Sequence, residues 1–131
     1  MKKKILFVDD ETAILFLMKE TFSLKGYEVF TATNALEALS ILKENTIPII
    51  VTDIQMPGLS GVELCKRIRE FNHISVVIAM TGFGNFFELT NCRDSGFDDY
   101  IRKPFAPEDM AEIVEYGFKR FLRWSALFAK V

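Results

Sequence analysis

Short apolar runs alternate with amphipathic stretches along the whole chain. Ile5-Leu6-Phe7-Val8 is a compact run of strand formers, and Glu11–Lys25 follows with Ile14, Leu15, Met18 and Phe22 at the spacing of one helical face. Gly26 stands where the residue after a helix belongs, and Lys25 suits the negative end of the helix dipole. Tyr27–Thr31 reads as a second strand. Asn34 with Glu37 resembles a capping box, and it opens a helix carrying Leu36, Leu39 and Leu42. Ile47–Thr52 is a third strand, apolar as expected when both faces are covered. Ser60–Phe71 is helical, with Leu64, Ile68 and Phe71 turned inward, and Ser75–Met80 is a fourth apolar strand. Asn85–Ser95 is the weakest helix, because Asn, Thr and Cys are poor helix formers. Asp99–Arg102 is a short fifth strand. Pro107 suits a first helical position, with Glu108 and Asp109 in the first turn and an inner stripe of Met110, Ile113, Val114, Phe118 and Phe121.

Five strands alternating with five helices predict an α/β fold, a doubly wound parallel sheet with helices on both faces. The length of 131 residues predicts one domain, large enough to fold without a disulfide or metal. A 50% apolar composition excludes a disordered or collagen-like chain, and a net charge of −2 argues against direct nucleic-acid binding. Two cysteines, Cys65 and Cys92, with no CxxC make a disulfide scaffold or structural zinc site unexpected and point to the cytoplasm. They read as small apolar fillers of helices. Met1-Lys2-Lys3-Lys4 resembles the start of an export signal, but the apolar run after it ends at Asp9, too early for one. No apolar run is long enough to span a membrane.

The polar residues then acquire a pattern. Asp9-Asp10 ends the first strand, Asp53 the third and Thr81 the fourth, and Lys103 follows the fifth. Any of these alone is an ordinary turn, cap or surface residue. In a parallel sheet, however, all carboxyl ends lie on one edge, and ligands bind there. The expectation is therefore a shallow cleft that gathers Asp9, Asp10, Asp53, Thr81 and Lys103. Carboxylates brought together raise one another's pKa, and a divalent cation and the Lys103 ammonium would offset the repulsion. Magnesium fits best, as a hard ion that prefers oxygen ligands and keeps several waters. Such a cleft can stabilise a transferring phosphoryl group, and Asp53 can itself attack phosphorus to give an acyl phosphate.

On the stretches Ile5–Glu11, Val51–Leu64, Thr81-Gly82 and Gly96–Phe105, the chain resembles a receiver domain of two-component response regulators, from about Lys3 to about Arg120. Asp53, Met56, Pro57 and Gly61 carry the spacing found around the phosphoacceptor of that family. The resemblance implies a flavodoxin-like fold with strand order 2-1-3-4-5, an order the periodicity alone does not fix. It implies that Asp53 takes a phosphoryl group from a histidine kinase phosphohistidine. It implies side-chain ligation of Mg2+ by Asp10 and Asp53, a backbone carbonyl ligand from Gln55, and Asp9 acting mainly through water. Lys103 and Thr81 would hold the phosphoryl oxygens. Tyr100 would swing inward as Thr81 moves, remodelling the face of the fourth helix, fifth strand and last helix. The Lys103–Pro104 bond would be cis.

Gly82 stands where the family often has alanine, so a small residue still guards access to Asp53. Phe83 and Gln55 would flank an entering water and help set the phosphate lifetime. Phe86, Phe87 and Leu89 either fill the core under the weak helix or form an apolar patch for a partner. His73, the sole histidine, reads as a surface residue before the fourth strand.

The receiver is assigned to 1–121. The tail 122–131 continues helical spacing through Trp124, Leu127, Phe128 and Val131, among Arg120, Arg123 and Lys130. Three readings of it stand: a prolonged last helix that packs on a partner or a second copy, the start of a linker to an effector domain, or a membrane-surface segment. The first is preferred, and membrane contact is not expected. Partners would be a histidine kinase or phosphotransfer protein, and a downstream effector. Three rival functions remain. A haloacid dehalogenase-type phosphatase needs aspartates two apart, where this chain has Asp9 and Glu11. A flavodoxin needs a Ser/Thr-rich phosphate loop, where this chain has acids. A degenerate receiver serving only as an interaction module is weakened by the presence of all five site residues.

Overall fold

The computed structural model describes residues 2–82 and 93–129. Its strands are β1 (Lys4–Val8), β2 (Glu28–Ala32), β3 (Ile49–Asp53), β4 (Val76–Thr81) and β5 (Asp99–Arg102). All are parallel, in the order β2-β1-β3-β4-β5. The described helices are α1 (Thr12–Leu24), α2 (Ala35–Glu44), α3 (Gly61–Phe71) and α4 (Pro107–Ala129). Most of the expected helix Asn85–Ser95, with Phe83, Phe86, Phe87, Leu89 and Cys92, lies outside the described residues, so four helices are counted among those described.

The strands are nearly continuous apolar runs because both faces of the sheet are covered. Their alternation still sorts the core into two layers. Ile5, Phe7, Ile49, Val51, Val76, Ile78 and Met80 face α1 and α4, where they meet Leu15, Met18, Phe22, Met110, Val114, Phe118 and Phe121. Leu6, Val8, Ile50 and Val77 face α2 and α3, where they meet Ala35, Ala38, Leu42, Leu64, Cys65 and Ile68. Burying one such large side chain is worth about 1.5–3 kcal/mol.

Local chemistry ends the helices as the residues dictate. After α1, Gly26 adopts φ +89°, its N–H bonds to the Ser23 carbonyl, and the Tyr27 N–H bonds to the Phe22 carbonyl. This is the paired closure that a left-handed residue permits. It puts the Tyr27 ring edge-on to Phe22 at 5.4 Å, so Tyr27 belongs to the helix stop and β2 begins at Glu28. Asn34 and Ser60 cap α2 and α3 by accepting from the N–H groups of Glu37 and Glu63. The third strand starts at Ile49, after Pro48, which has no N–H for a ladder.

Phe71, expected inward, points outward with 55% of its surface exposed, and Leu36, one of the three leucines at helical spacing in α2, is 65% exposed. The buried stripe of α2 runs through Ala35, Ala38 and Leu42, and Cys65 joins Leu64 and Ile68 in α3. Small residues win these places because the helices lie close against the sheet, and spacing counted from the leucines alone is out of phase. His73 is exposed, as expected, and Cys65 is buried. Helix α4 runs without a break past Phe121, leaving Leu122, Trp124, Leu127 and Phe128 exposed over about half of their surface or somewhat less. Among the described residues no helix is long and apolar enough to cross a membrane.

Candidate functional site

Parallel pairing puts the ends of β1, β3, β4 and β5 on one edge, and the polar residues that terminate these runs meet there. Asp9 follows β1, with its N–H on the Ala32 carbonyl at 3.1 Å. Asp53 is the last residue of β3, in register with Met80. Thr81 closes β4, and its carbonyl accepts from the Lys103 N–H at 2.7 Å, which ties the end of β5 to the end of β4. The Lys103–Pro104 peptide is cis.

The Lys103 ammonium bridges acids 94 and 50 residues away in sequence. It donates to Asp9 Oδ2 at 2.8 Å and to Asp53 Oδ2 at 3.3 Å. Backbone groups hold the other carboxylate oxygens. The Glu11 N–H donates to Asp9 Oδ1 at 2.9 Å, and the Gln55 N–H donates to Asp53 Oδ1 at 3.3 Å. Asp10 is exposed, yet one oxygen each of Asp9, Asp10 and Asp53 lies within 4.8 Å of the others. That all-oxygen, triply anionic donor set suits a hard divalent cation such as Mg2+.

Electrostatics follow from the placement. Burial raises the Asp53 carboxyl above its ordinary pKa. The Lys103 charge pulls it down, the Asp9 charge adds to the rise, and the hydrogen bonds from Lys103 and the Gln55 N–H oppose it. Burial works to lower the Lys103 pKa, but the bond to Asp9 and the charges of Asp53 and Asp9 outweigh it and hold the ammonium above its ordinary value. The lysine is thus kept charged and the central acid is made costly to ionise.

Gly61 explains part of the loop after Asp53. A Cβ there would lie 2.1 Å from the Asp53 carbonyl oxygen, so only glycine lets α3 start against the backbone of the acid. The Gly61 N–H bonds to the Ile54 carbonyl at 2.9 Å, fixing this approach.

The structure brings Asp9, Asp10, Asp53, Lys103 and Thr81 to one edge. Gln55 and Gly82 are exposed beside Asp53 and Thr81 respectively. Tyr100 lies in β5 opposite Ala79, with 51% of its surface exposed. Phe83 lies outside the described residues. Two features escaped the sequence reading. Glu11 Oε1 stands 3.8 Å from Lys103 Nζ; the acidic Asp9-Asp10-Glu11 run was visible, but its reach was not. At the opposite edge, Arg69 bonds to the Gly96 and Ser75 carbonyls and to Asp98 Oδ2 at 2.7 Å, and Arg120 pairs with Asp98 Oδ1 at 3.3 Å. No local motif announces that network.

Over residues 5–115 the sequence matches the response regulator receiver domain family. It is 36% identical over 120 residues to the alkaline phosphatase synthesis transcriptional regulatory protein PhoP of Bacillus subtilis (strain 168), covering 92% of this chain and 50% of that protein. It is 32% identical over 115 residues to sporulation initiation phosphotransferase F of the same organism, covering 88% of this chain and 93% of that one. A CheY-like response regulator receiver domain protein from Methanospirillum hungatei JF-1 superposes with a TM-score of 0.90 at 30% identity, over 94% of this chain and 98% of that structure. The chain therefore spans about half the length of PhoP and nearly all of the phosphotransferase.

Proposed function

The chain belongs to the response regulator receiver family of two-component systems, and on that premise we propose that Asp53 is the phosphoacceptor of a signalling switch. The observation that carries this reading is the convergence of Asp9, Asp53 and Lys103, with Lys103 Nζ 2.8 Å from one acid and 3.3 Å from the other. An Asp53 oxygen attacks phosphorus, the P–N bond of a phosphohistidine breaks as the O–P bond forms, and the imidazole leaves. Lys103, held charged between Asp9 and Asp53, offsets the negative charge that spreads over the phosphoryl oxygens. Asp10 and Asp53 would hold Mg2+ through their side chains and Gln55 through its carbonyl, with Asp9 acting through water; the bound ion supplies charge neutralisation.

The switch follows from chemistry that only the phosphorylated state has. The added group brings roughly one more negative charge and three acceptor oxygens. The Thr81 hydroxyl and Lys103 turn to them, and Tyr100 moves in from its exposed position. Driving such a change from mostly off to mostly on takes about 5.5 kcal/mol of differential contact. Gln55, Gly82 and Phe83 govern water access and hence the phosphate lifetime. In this proposal the protein is cytoplasmic, is a phosphoacceptor and not an enzyme acting on other substrates, and uses 1–121 as the receiver. It receives phosphate from a histidine kinase or phosphotransfer protein and signals to an effector, or through a second copy, with 122–131 extending the last helix.

Incubation with acetyl phosphate and magnesium tests the reading. One hydroxylamine-labile phosphoryl group is expected per chain, seen by intact mass and absent from Asp53→Asn. No label, a label retained in Asp53→Asn, or continuous turnover of external phosphate esters would overturn it.

A further inference from the structure

Glu11 serves α1 only with its backbone. It is the N-cap residue, its carbonyl accepts from the Ile14 N–H, and its side chain makes no cap bond. The short side chains of Ser, Thr, Asp and Asn are the ones that cap helix N–H groups, and the longer Glu11 side chain stands toward Lys103 instead.

An ammonium has three protons. Two of those on Lys103 are taken, by Asp9 Oδ2 at 2.8 Å and Asp53 Oδ2 at 3.3 Å, and the third side faces Glu11 Oε1 at 3.8 Å. The acids differ in freedom. The side chain of Asp9 is 0% exposed and that of Glu11 is 64% exposed, against 16% for Lys103. When a phosphoryl group arrives on Asp53, its oxygens need the Lys103 protons. Asp9 is buried and pinned by the Glu11 N–H, so it cannot withdraw. Glu11 can swing into water at little cost.

We propose that Glu11 is a positioning residue for phosphoryl transfer: it occupies the third side of the Lys103 ammonium in the resting state and yields it to the phosphoryl group. This rests on the phosphoacceptor reading of Asp53. Glu11 also adds a negative charge at the mouth through which an anionic donor enters. Both effects oppose phosphorylation and both are electrostatic, so neutralising Glu11 favours the phosphorylated state. The size is that of a solvent-exposed ion pair, about two- to fivefold.

The test uses the full chain in saturating magnesium, with a charge series of Glu11→Asp, Glu11→Gln and Glu11→Lys. Two readouts are taken: the acetyl phosphate concentration for half-maximal labelling, and the affinity for beryllium fluoride by calorimetry, which involves no turnover. Glu11→Asp is expected to stay near the parent, Glu11→Gln to need about two- to fivefold less of either probe, and Glu11→Lys less again. The differences should close at about 1 M salt, where charges are screened beyond roughly 3 Å. A Glu11→Gln chain equal to the parent at low salt, or a difference that survives high salt, overturns the inference and leaves Asp53 untouched. A parent chain that takes no label overturns both.

Discussion

Asp53 concentrates the energetic conflict of the molecule in one side chain. It is buried beside Asp9 and Asp10, and Lys103 relieves only part of the cost. Its folded-state pKa is raised, so the native protein binds its proton more tightly than the unfolded chain does. The charged form therefore destabilises the fold above the raised pKa, and the penalty vanishes below the ordinary value of 3.8. In metal-free buffer, Asp53→Asn is expected to raise the thermal midpoint by a few degrees at neutral pH. The gain should shrink as pH falls through the raised pKa and be absent near pH 3. A melt series of both chains from about pH 3 to 7.5 checks the sign. The identity of Asp53 was legible in the sequence because it is the first acid after a buried run. The Gly61 contact beneath it was not, since a close approach between a helix start and a strand end has no local signature.

Elements were legible where one chemistry decides them. Asn34, Ser60 and Gly26 mark helix ends whichever way the helices pack. The faces of α2 and α3 were less so, because Leu36 and Phe71 look like core residues and are mostly exposed, while Ala35, Ala38 and Cys65 take the contact. The joint of α3, β4 and α4 through Asp98, just before β5, was invisible. Asp98 accepts from Arg69, from the Val77 N–H at 2.9 Å and from Arg120, linking three elements at the edge away from the cleft. Asp98→Ala removes the carboxylate partner of the half-buried Arg69, which keeps only carbonyl acceptors, and leaves the Val77 N–H without the side-chain acceptor it has now. A loss of about 2–4 kcal/mol in urea unfolding is expected, with the slope unchanged and acetyl phosphate labelling of Asp53 retained in the folded protein.

At the scale of the whole molecule, the sheet edge gathers charges that would otherwise stay apart, and the fold carries the cost of holding them. A cation that binds only the folded cleft returns that stability by mass action. Mg2+ is expected to raise the thermal midpoint of the parent chain, its unfolding free energy growing by about 1.4 kcal/mol for each tenfold excess over the dissociation constant. Asp10→Asn should lose most of this dependence without losing stability in metal-free buffer, because Asp10 is exposed. A magnesium-independent midpoint in the parent would remove the cation from the account.

The succession along the chain of the strands and described helices, the helix stops and the candidate acids came from the sequence, because periodicity, capping and the first polar residue after an apolar run are local properties. Contact was decided by the tertiary structure alone. Lys103 meets Asp9, Asp53 and Glu11 because parallel strands in one order bring their carboxyl ends together, and which small residue yields to a neighbouring backbone depends on how closely two elements pack. Neither is encoded in the spacing of residues along the chain.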